Sequence, residues 1–233
     1  MTTFDPIFWT ALMKIIGVNI ILSGDNAVVI ALAARSLPAR QQKKAIFWGS
    51  GAAILMRIVL TMFAVALLTL PWLKIVGSVL LIWIGVKLLT DNDDGEEHVE
   101  SHDSLPAAIK TILIADLVMS VDNVIAVAAA AKNDTTLLII GLAISIPLII
   151  FASTLLIKVM ERFPIVITIG AALIGWVAGE MAWDEQVFAS FTSQFPKWYE
   201  YIAAAAGAAL VVVAGKMLAA KSGTGGGTAP TNS

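Results

Sequence analysis

The 233-residue chain contains no cysteine, only two histidines and few charged residues, and these shortages exclude several classes of protein. Without cysteine there is no disulfide, no thiolate metal site and no cysteine nucleophile. His98 and His102 lie in one polar stretch, so no imidazole ligand is expected inside a hydrophobic segment. Charged residues make up 14% of the chain without forming a basic stripe, so a nucleic-acid partner is not expected.

Hydrophobic residues make up 58% of the chain and occur in runs that are long enough to cross a bilayer. A transmembrane helix needs about 20 predominantly apolar residues. Seven such runs predict an all-α polytopic membrane protein whose surroundings are the lipid bilayer. The predicted spans are roughly 7–34, 45–70, 72–90, 107–131, 135–157, 164–182 and 199–219. The N-terminus has no basic region before the first run and no obvious cleavage site, so we expect this run to remain as a span.

Lysine and arginine are distributed unevenly between the two sides of these spans. A basic cluster at 35–44 follows the first run. Further basic residues lie at the other span ends that seven spans would place on the same side of the membrane. Because basic loops stay in the cytoplasm, the N-terminus is predicted outside and the C-terminus inside.

Two copies of one short motif, each within a hydrophobic run, indicate an internal repeat. The copies are Asn19-Ile-Ile-Leu-Ser23-Gly24-Asp25-Asn26 and Asp116-Leu-Val-Met-Ser120-Val-Asp122-Asn123. Further matches occur at one constant offset: Pro71, Gly77, Trp83 and Lys87 against Pro164, Gly170, Trp176 and Glu180. Since each copy has three spans, the second must enter from the opposite membrane face, as in inverted-repeat transporters. Chance similarity among apolar helices is the alternative.

The repeat predicts five segments along the chain. A first three-helix repeat covers 1–90, and an acidic cytoplasmic loop covers 91–106. The second three-helix repeat covers 107–182, and an outer loop with the seventh helix covers 183–221. The glycine-rich end, 222–233, reads as a flexible tail.

The motifs place carboxylates at bilayer depth, where a charge costs several kcal/mol unless it faces protein, water or a counter-ion. The carboxylate, amide and hydroxyl side chains of the motifs all offer oxygen atoms to a metal ion. Oxygen ligands suit a hard divalent cation: Mn²⁺, Ca²⁺ or Mg²⁺. Anion transport fits poorly, because three carboxylates would repel the substrate. The candidate ligands are Asp25, Asp116, Asp122, Asn26, Asn123 and Asn19, with Ser23, Gly24, Ser120 and Arg57 as supporting or gating residues. No tightly bound cofactor is expected.

The spacing within the second motif leaves two arrangements open. On an unbroken helix, Asp116, Ser120 and Asn123 share one stripe, while Asp122 points about 120° away from it. Either the helix unwinds near 120–122, so that both carboxylates converge, or Asp122 faces a different neighbour. Gly24 favours unwinding in the first copy, because glycine weakens a helix.

Other functions remain possible for these residues. The motifs could be polar contacts between helices in a non-transporting membrane factor for stress resistance or membrane protein biogenesis. Arg57 could neutralise Asp25 or Asp122, act as a counter-charge for the empty site, or serve as a gate. An enzyme is not expected, because no Ser/His/Asp arrangement or nucleotide-binding loop is present. The sequence leaves a homo-oligomer open.

With these motifs, in paired three-helix halves followed by a seventh helix, the chain resembles the TerC family, which is named for tellurium resistance. The resemblance covers roughly residues 7–219, and the short, seven-span form of the chain is similar to the YjbE-type bacterial branch. It implies export of Mn²⁺ across the bacterial cytoplasmic membrane. It also implies functional acidic and amide residues at Asp25, Asn26, Asp116, Asp122 and Asn123. Asn19 stands where the second copy has Asp116, so the two halves are not equivalent.

Overall fold

The computed structural model describes residues 9–10, 12–13, 16–17, 24–63, 70–90, 104–131 and 135–224, and every regular element in these ranges is helical. The all-α prediction is therefore confirmed for this part of the chain. The helices are α1 (Gly24–Ala34), α2 (Ala39–Met62), α3 (Leu73–Thr90), α4 (Leu105–Ala131), α5 (Thr135–Arg162), α6 (Ile165–Trp183), α7 (Ala189–Thr192) and α8 (Trp198–Thr224). A short 3₁₀ helix, Gln186–Phe188, precedes α7.

Prolines mark where several of these helices begin. Pro38 is the residue before α2, Pro164 is the residue before α6, and Pro71 lies two residues before α3. Proline has no backbone N–H to donate and its φ is fixed near −65°, so it is well tolerated where a helix starts. Between Pro71 and α3, Trp72 adopts a left-handed φ of 67°, a conformation that is uncommon for a bulky residue.

Five of the described helices are long and apolar enough to cross a membrane: α2, α3, the Ile139–Arg162 part of α5, α6, and the Trp198–Ala220 part of α8. Helix α4, which carries the second motif, has 27 residues, or about 40 Å at 1.5 Å per residue. Helix α1 is apolar over its 11 residues. The chain is an integral membrane protein by this measure, whereas the count of seven spans stays a prediction.

The helices contact one another in reciprocal pairs. The contact between α1 and α5 corresponds to the contact between α4 and α2. The contact between α3 and α4 corresponds to the contact between α6 and α1. Three further pairs, α1–α4, α2–α5 and α3–α6, join equivalent helices of the two proposed halves. Exchanging α1, α2 and α3 with α4, α5 and α6 maps these seven pairs onto one another. It is the pattern expected of two related three-helix units, while the inversion of one unit stays a prediction.

Helix α8 packs on α6 and α3, and its contact with α6 is a close approach of two backbones. A Cβ added at Gly175 would lie 2.5 Å from the carbonyl oxygen of Gly207, and one at Gly179 would meet the backbone of Ala203. Small residues allow such close helix packing in membranes, where dispersion forces replace the hydrophobic effect. The seventh predicted span is thus fixed against the second half of the repeat.

The outward surface of the helices carries many large apolar side chains. Leu55, Trp83, Phe151 and Val213 are all more than half exposed. A water-soluble monomer rarely exposes contiguous apolar surface on this scale. The exposure fits a protein whose surface faces lipid.

Candidate functional site

A buried ion pair joins α2 to α4. Nη2 of Arg57 donates to Oδ1 of Asp116 at 2.6 Å, and the two side chains are 2% and 7% exposed. Arg57 lies on the buried face of α2, one turn after Ala53 and Ile54, and that face contacts α4. Removing a charge from water is expensive unless a partner of opposite charge is present. Each charge of the pair therefore offsets part of the cost of burying the other.

Ser120 lies one helical turn beyond Asp116 and completes this network. Its Oγ accepts a hydrogen bond from Nε of Arg57 at 3.0 Å and donates to Oδ2 of Asp116 at 3.2 Å. Its side chain is fully buried. Both carboxylate oxygens of Asp116 are therefore engaged, one by the guanidinium and one by the hydroxyl. We refer to Arg57, Asp116 and Ser120 as the arginine network.

The first motif lies at the start of α1. Asp25 is half-buried, and its Oδ1 accepts the backbone N–H of Asn26 at 2.7 Å. Both Arg57 and Asp116 are within electrostatic range of this carboxylate. Helix α1 also contacts α4 directly. The structure thus places the carboxylate of the first motif within electrostatic range of the arginine network of the second.

The side chain of Asn26 is buried without a hydrogen-bond partner among the described residues. It is 3% exposed, and neither its amide oxygen nor its amide nitrogen is paired. Leaving such a group unsatisfied costs about 1–3 kcal/mol, so buried amides in proteins are nearly always paired. An unpaired amide beside a carboxylate is a site where a water molecule, an ion or another ligand would be stabilised.

Several predicted ligands lie outside the part of the chain that the structure describes. Asn19 and Ser23 precede α1, and the side chain of Asp122 falls outside the described side chains as well. Gly24 is the exposed first residue of α1, and Asn123 is half-buried in α4. Among the described side chains, no group of three or more histidine and acidic residues is close enough to hold a metal ion. The convergence of three carboxylates on one ion stays a prediction.

The two arrangements that the second motif left open are decided by the backbone of α4. The helix runs without interruption over Leu105–Ala131, so it does not unwind near 120–122. Asp116 and Ser120 share one face, as their spacing requires. Arg57 contacts Asp116, a partner that the sequence interpretation did not name, since it considered Asp25 and Asp122. The reason is lateral packing, because α2 lies along α4.

Sequence reasoning missed Glu185, which lies between α6 and α7. Its side chain is 2% exposed, and its Oε2 accepts the backbone N–H groups of Lys74 at 3.0 Å and Ile75 at 3.4 Å. These amides belong to the first turn of α3, where no intrahelical acceptor exists. No motif or periodicity marks a single acidic residue in a loop as a buried helix cap.

The repeat-matched tryptophans each contact the charged residue one turn later. Nε1 of Trp176 donates to Oε1 of Glu180 at 2.7 Å, while Nζ of Lys87 lies 5.6 Å from the ring centroid of Trp83. The spacing of four residues is the same in the two halves, but the contact is a hydrogen bond in one and a cation–π contact in the other. These residues lie at the ends of α3 and α6, away from the arginine network.

The sequence matches known membrane proteins along nearly its whole length. A family model described as "Integral membrane protein TerC family" matches residues 4–223. The uncharacterized membrane protein YjbE of Bacillus subtilis is 44% identical over 184 residues, which cover 79% of this chain and 84% of that protein. The inner membrane protein YgdQ of Escherichia coli is 25% identical over 216 residues, which cover 85% of this chain and 89% of that protein. No solved structure matches the chain.

Proposed function

Because the chain belongs to the TerC family of integral membrane proteins, we propose that it is a secondary transporter that exports a divalent metal cation, Mn²⁺ first, across the cytoplasmic membrane. The observation that carries the proposal is the buried charge cluster where α1, α2 and α4 meet. Arg57 and Asp116 are almost fully buried there, Asp25 interacts with both electrostatically, and Asn26 offers a buried amide that is unpaired among the described residues. Ionisable groups at membrane depth mark ion pathways.

The charges of the cluster suit a divalent ion. Asp25 and Asp116 carry two negative charges and Arg57 carries one positive charge. The proposal adds the carboxylate of Asp122, whose side chain lies outside the described ones, from another face of the unbroken helix α4. The sum of −2 is neutralised by one divalent cation, so the loaded site has no net charge to expose to the bilayer. Oxygen donors favour Mn²⁺, Mg²⁺ and Ca²⁺ over copper or other soft metals. The choice of Mn²⁺ among these ions rests on the family resemblance.

In the proposed inverted repeat, this site lies at the interface between the two halves. The proposal is supported by the reciprocal contacts of the six helices. It is also supported by the matched glycines: a Cβ added at Gly77 would lie 2.7 Å from Val118 in α4, and one at Gly170 would lie 2.9 Å from Val28 in α1. Each third helix therefore meets the first helix of the other half through a glycine. Transporters of this kind bind substrate near the midplane at the repeat interface.

The proposed direction follows from the topology that the basic residues predict. An N-terminus outside and a C-terminus in the cytoplasm place the acidic 91–106 loop on the cytoplasmic side. Residues 91–103 of that loop lie outside the described residues, and 105–106 belong to the first turn of α4. Relatives such as YgdQ are named inner membrane proteins, in keeping with a location in the bacterial cytoplasmic membrane.

A second function has one specific observation in its favour. The arginine network is fully satisfied and joins α2 to α4, as polar contacts between helices of a non-transporting membrane factor would be. The same reasoning does not account for Asn26, because a structural contact would not leave a buried amide unpaired. We therefore place the transporter first.

Calorimetric titration of the purified protein in lipid nanodiscs tests the proposal. We expect one Mn²⁺ per chain, with binding lost in Asp25→Asn and Asp122→Asn, because each removes a charged ligand. Asp184→Asn is the matched control, since Asp184 is an exposed carboxylate at the end of α6. If the wild-type protein binds none of Mn²⁺, Ca²⁺ and Mg²⁺, the proposal is wrong.

A further inference from the structure

The arginine network belongs to only one half of the repeat. At the offset that aligns Pro71 with Pro164, Arg57 aligns with Ile150, and at the offset of the two motifs Asp116 aligns with Asn19. The first half therefore has a neutral amide where the second half has Asp116. The second half has an uncharged residue where the first half has Arg57, Ile150 at the first offset and Thr154 at the second. The charge pair therefore has no counterpart across a motif that otherwise carries one aspartate in each copy, Asp25 and Asp122.

Both oxygens of Asp116 already accept a hydrogen bond in the network: Oδ1 accepts from Arg57 and Oδ2 accepts from Ser120. A cation that binds through Oδ1 competes directly with the guanidinium for that oxygen. A cation that binds through Oδ2 displaces the Ser120 hydroxyl and is repelled by Arg57 across the same carboxylate. Because the pair is shielded from water, the electrostatic cost is high if Asp116 is to pair with the guanidinium and a metal ion at the same time.

Arg57 also acts on the rest of the site. Its positive charge acts electrostatically on Asp25, and would act in the same way on a cation bound at that carboxylate. The arginine therefore opposes cation binding in two ways, by holding Asp116 and by repelling the cation directly.

We propose that Arg57 is a tethered competitor of the transported cation. It neutralises Asp116 when the site is empty, leaves Asp116 when the cation binds, and returns to Asp116 as the cation is released. This inference rests on the proposed function and adds a residue that sets affinity and release. Its consequence is a trade-off, in which weaker competition gives tighter binding and slower turnover.

The experiment compares Mn²⁺ binding in nanodiscs with Mn²⁺ efflux from proteoliposomes. In Arg57→Gln, Kd and KM should fall about tenfold, because apparent affinity rises when the competing state is removed. The kcat should fall as well, because nothing displaces the bound ion. Arg57→Lys retains a competing charge but lacks the Nε hydrogen bond to Ser120. Its Kd and kcat should lie between those of the wild type and Arg57→Gln.

Arg162→Gln is the matched control, since Arg162 is exposed at the end of α5 beside the ring of Phe163. Its Kd, KM and kcat should equal those of the wild type. Should Arg57→Gln fail to fold, Arg57→Lys decides alone, and a Kd equal to or weaker than the wild-type value overturns the inference. If the wild-type protein binds Mn²⁺ and Asp25→Asn does not, yet neither Arg57 variant tightens binding, only the inference fails. If the wild-type protein binds no Mn²⁺, the proposed function fails with it.

Discussion

The carboxylate of Glu185 accepts the backbone N–H of Lys74 at 3.0 Å across 111 residues of sequence. The contact ties the loop after α6 to the turn between α2 and α3. That turn contains Trp72 with a positive φ, and the ring of Trp72 packs edge-on against Phe188 at 5.8 Å. A bulky residue in the left-handed region costs of order 1–3 kcal/mol, which the surrounding contacts must offset.

Replacing Glu185 should lower the stability of the protein without changing cation binding. Glu185→Ala leaves the first amides of α3 without an acceptor, so we expect a loss of about 1–3 kcal/mol and a lower thermal unfolding midpoint in detergent. Glu185→Gln keeps an acceptor oxygen and should lose less. Glu161→Ala, at an exposed position of α5, is the control. Equal midpoints for Glu185→Ala and the control would show that the cap does not hold the turn.

The contact between α6 and α8 should tolerate no added side chain at Gly207. A Cβ there would meet the carbonyl oxygen of Gly175 and come within 3.0 Å of the backbone nitrogen of Gly179. Gly207→Val must therefore separate the two helices, and we expect a destabilisation of about 1–3 kcal/mol or more, as for overpacked cores. Ala206→Val adds similar volume one residue away at an exposed position. Comparable thermal midpoints for the two valine variants would contradict this account of the packing.

Much of the fold could be predicted from the sequence, because spans and turns depend on local properties. The predicted spans 72–90 and 164–182 agree with α3 and α6 to about one residue, since Pro71 and Pro164 mark the turns that precede them. The candidate site could be predicted in part. The spacing of Asp116 and Ser120 fixes their common face, whereas the pairing of Asp116 with Arg57 joins residues 59 apart and depends on how α2 packs on α4. Glu185 could not be found, because its role depends on a turn more than a hundred residues away.

Labelling of single cysteines tests the predicted topology. The chain has no cysteine, so each introduced thiol reports one position only. An impermeant thiol reagent applied to intact cells should label a cysteine at Ser193, which is exposed after α7, because that loop is predicted to lie outside. A cysteine at Ser101, in the acidic loop outside the described residues, should be labelled only after the cells are opened. The opposite pattern would reverse the proposed direction of transport.

Mn²⁺ flux in proteoliposomes tests the account most directly. Vesicles containing the wild-type protein should move Mn²⁺ down its gradient faster than protein-free vesicles, while vesicles containing Asp122→Asn should match the protein-free rate. Asp184→Asn should retain the wild-type rate, because its exposed carboxylate lies away from the arginine network. A wild-type rate equal to that of protein-free vesicles, with the protein folded and inserted in both orientations, would contradict the proposal that the chain is a cation transporter.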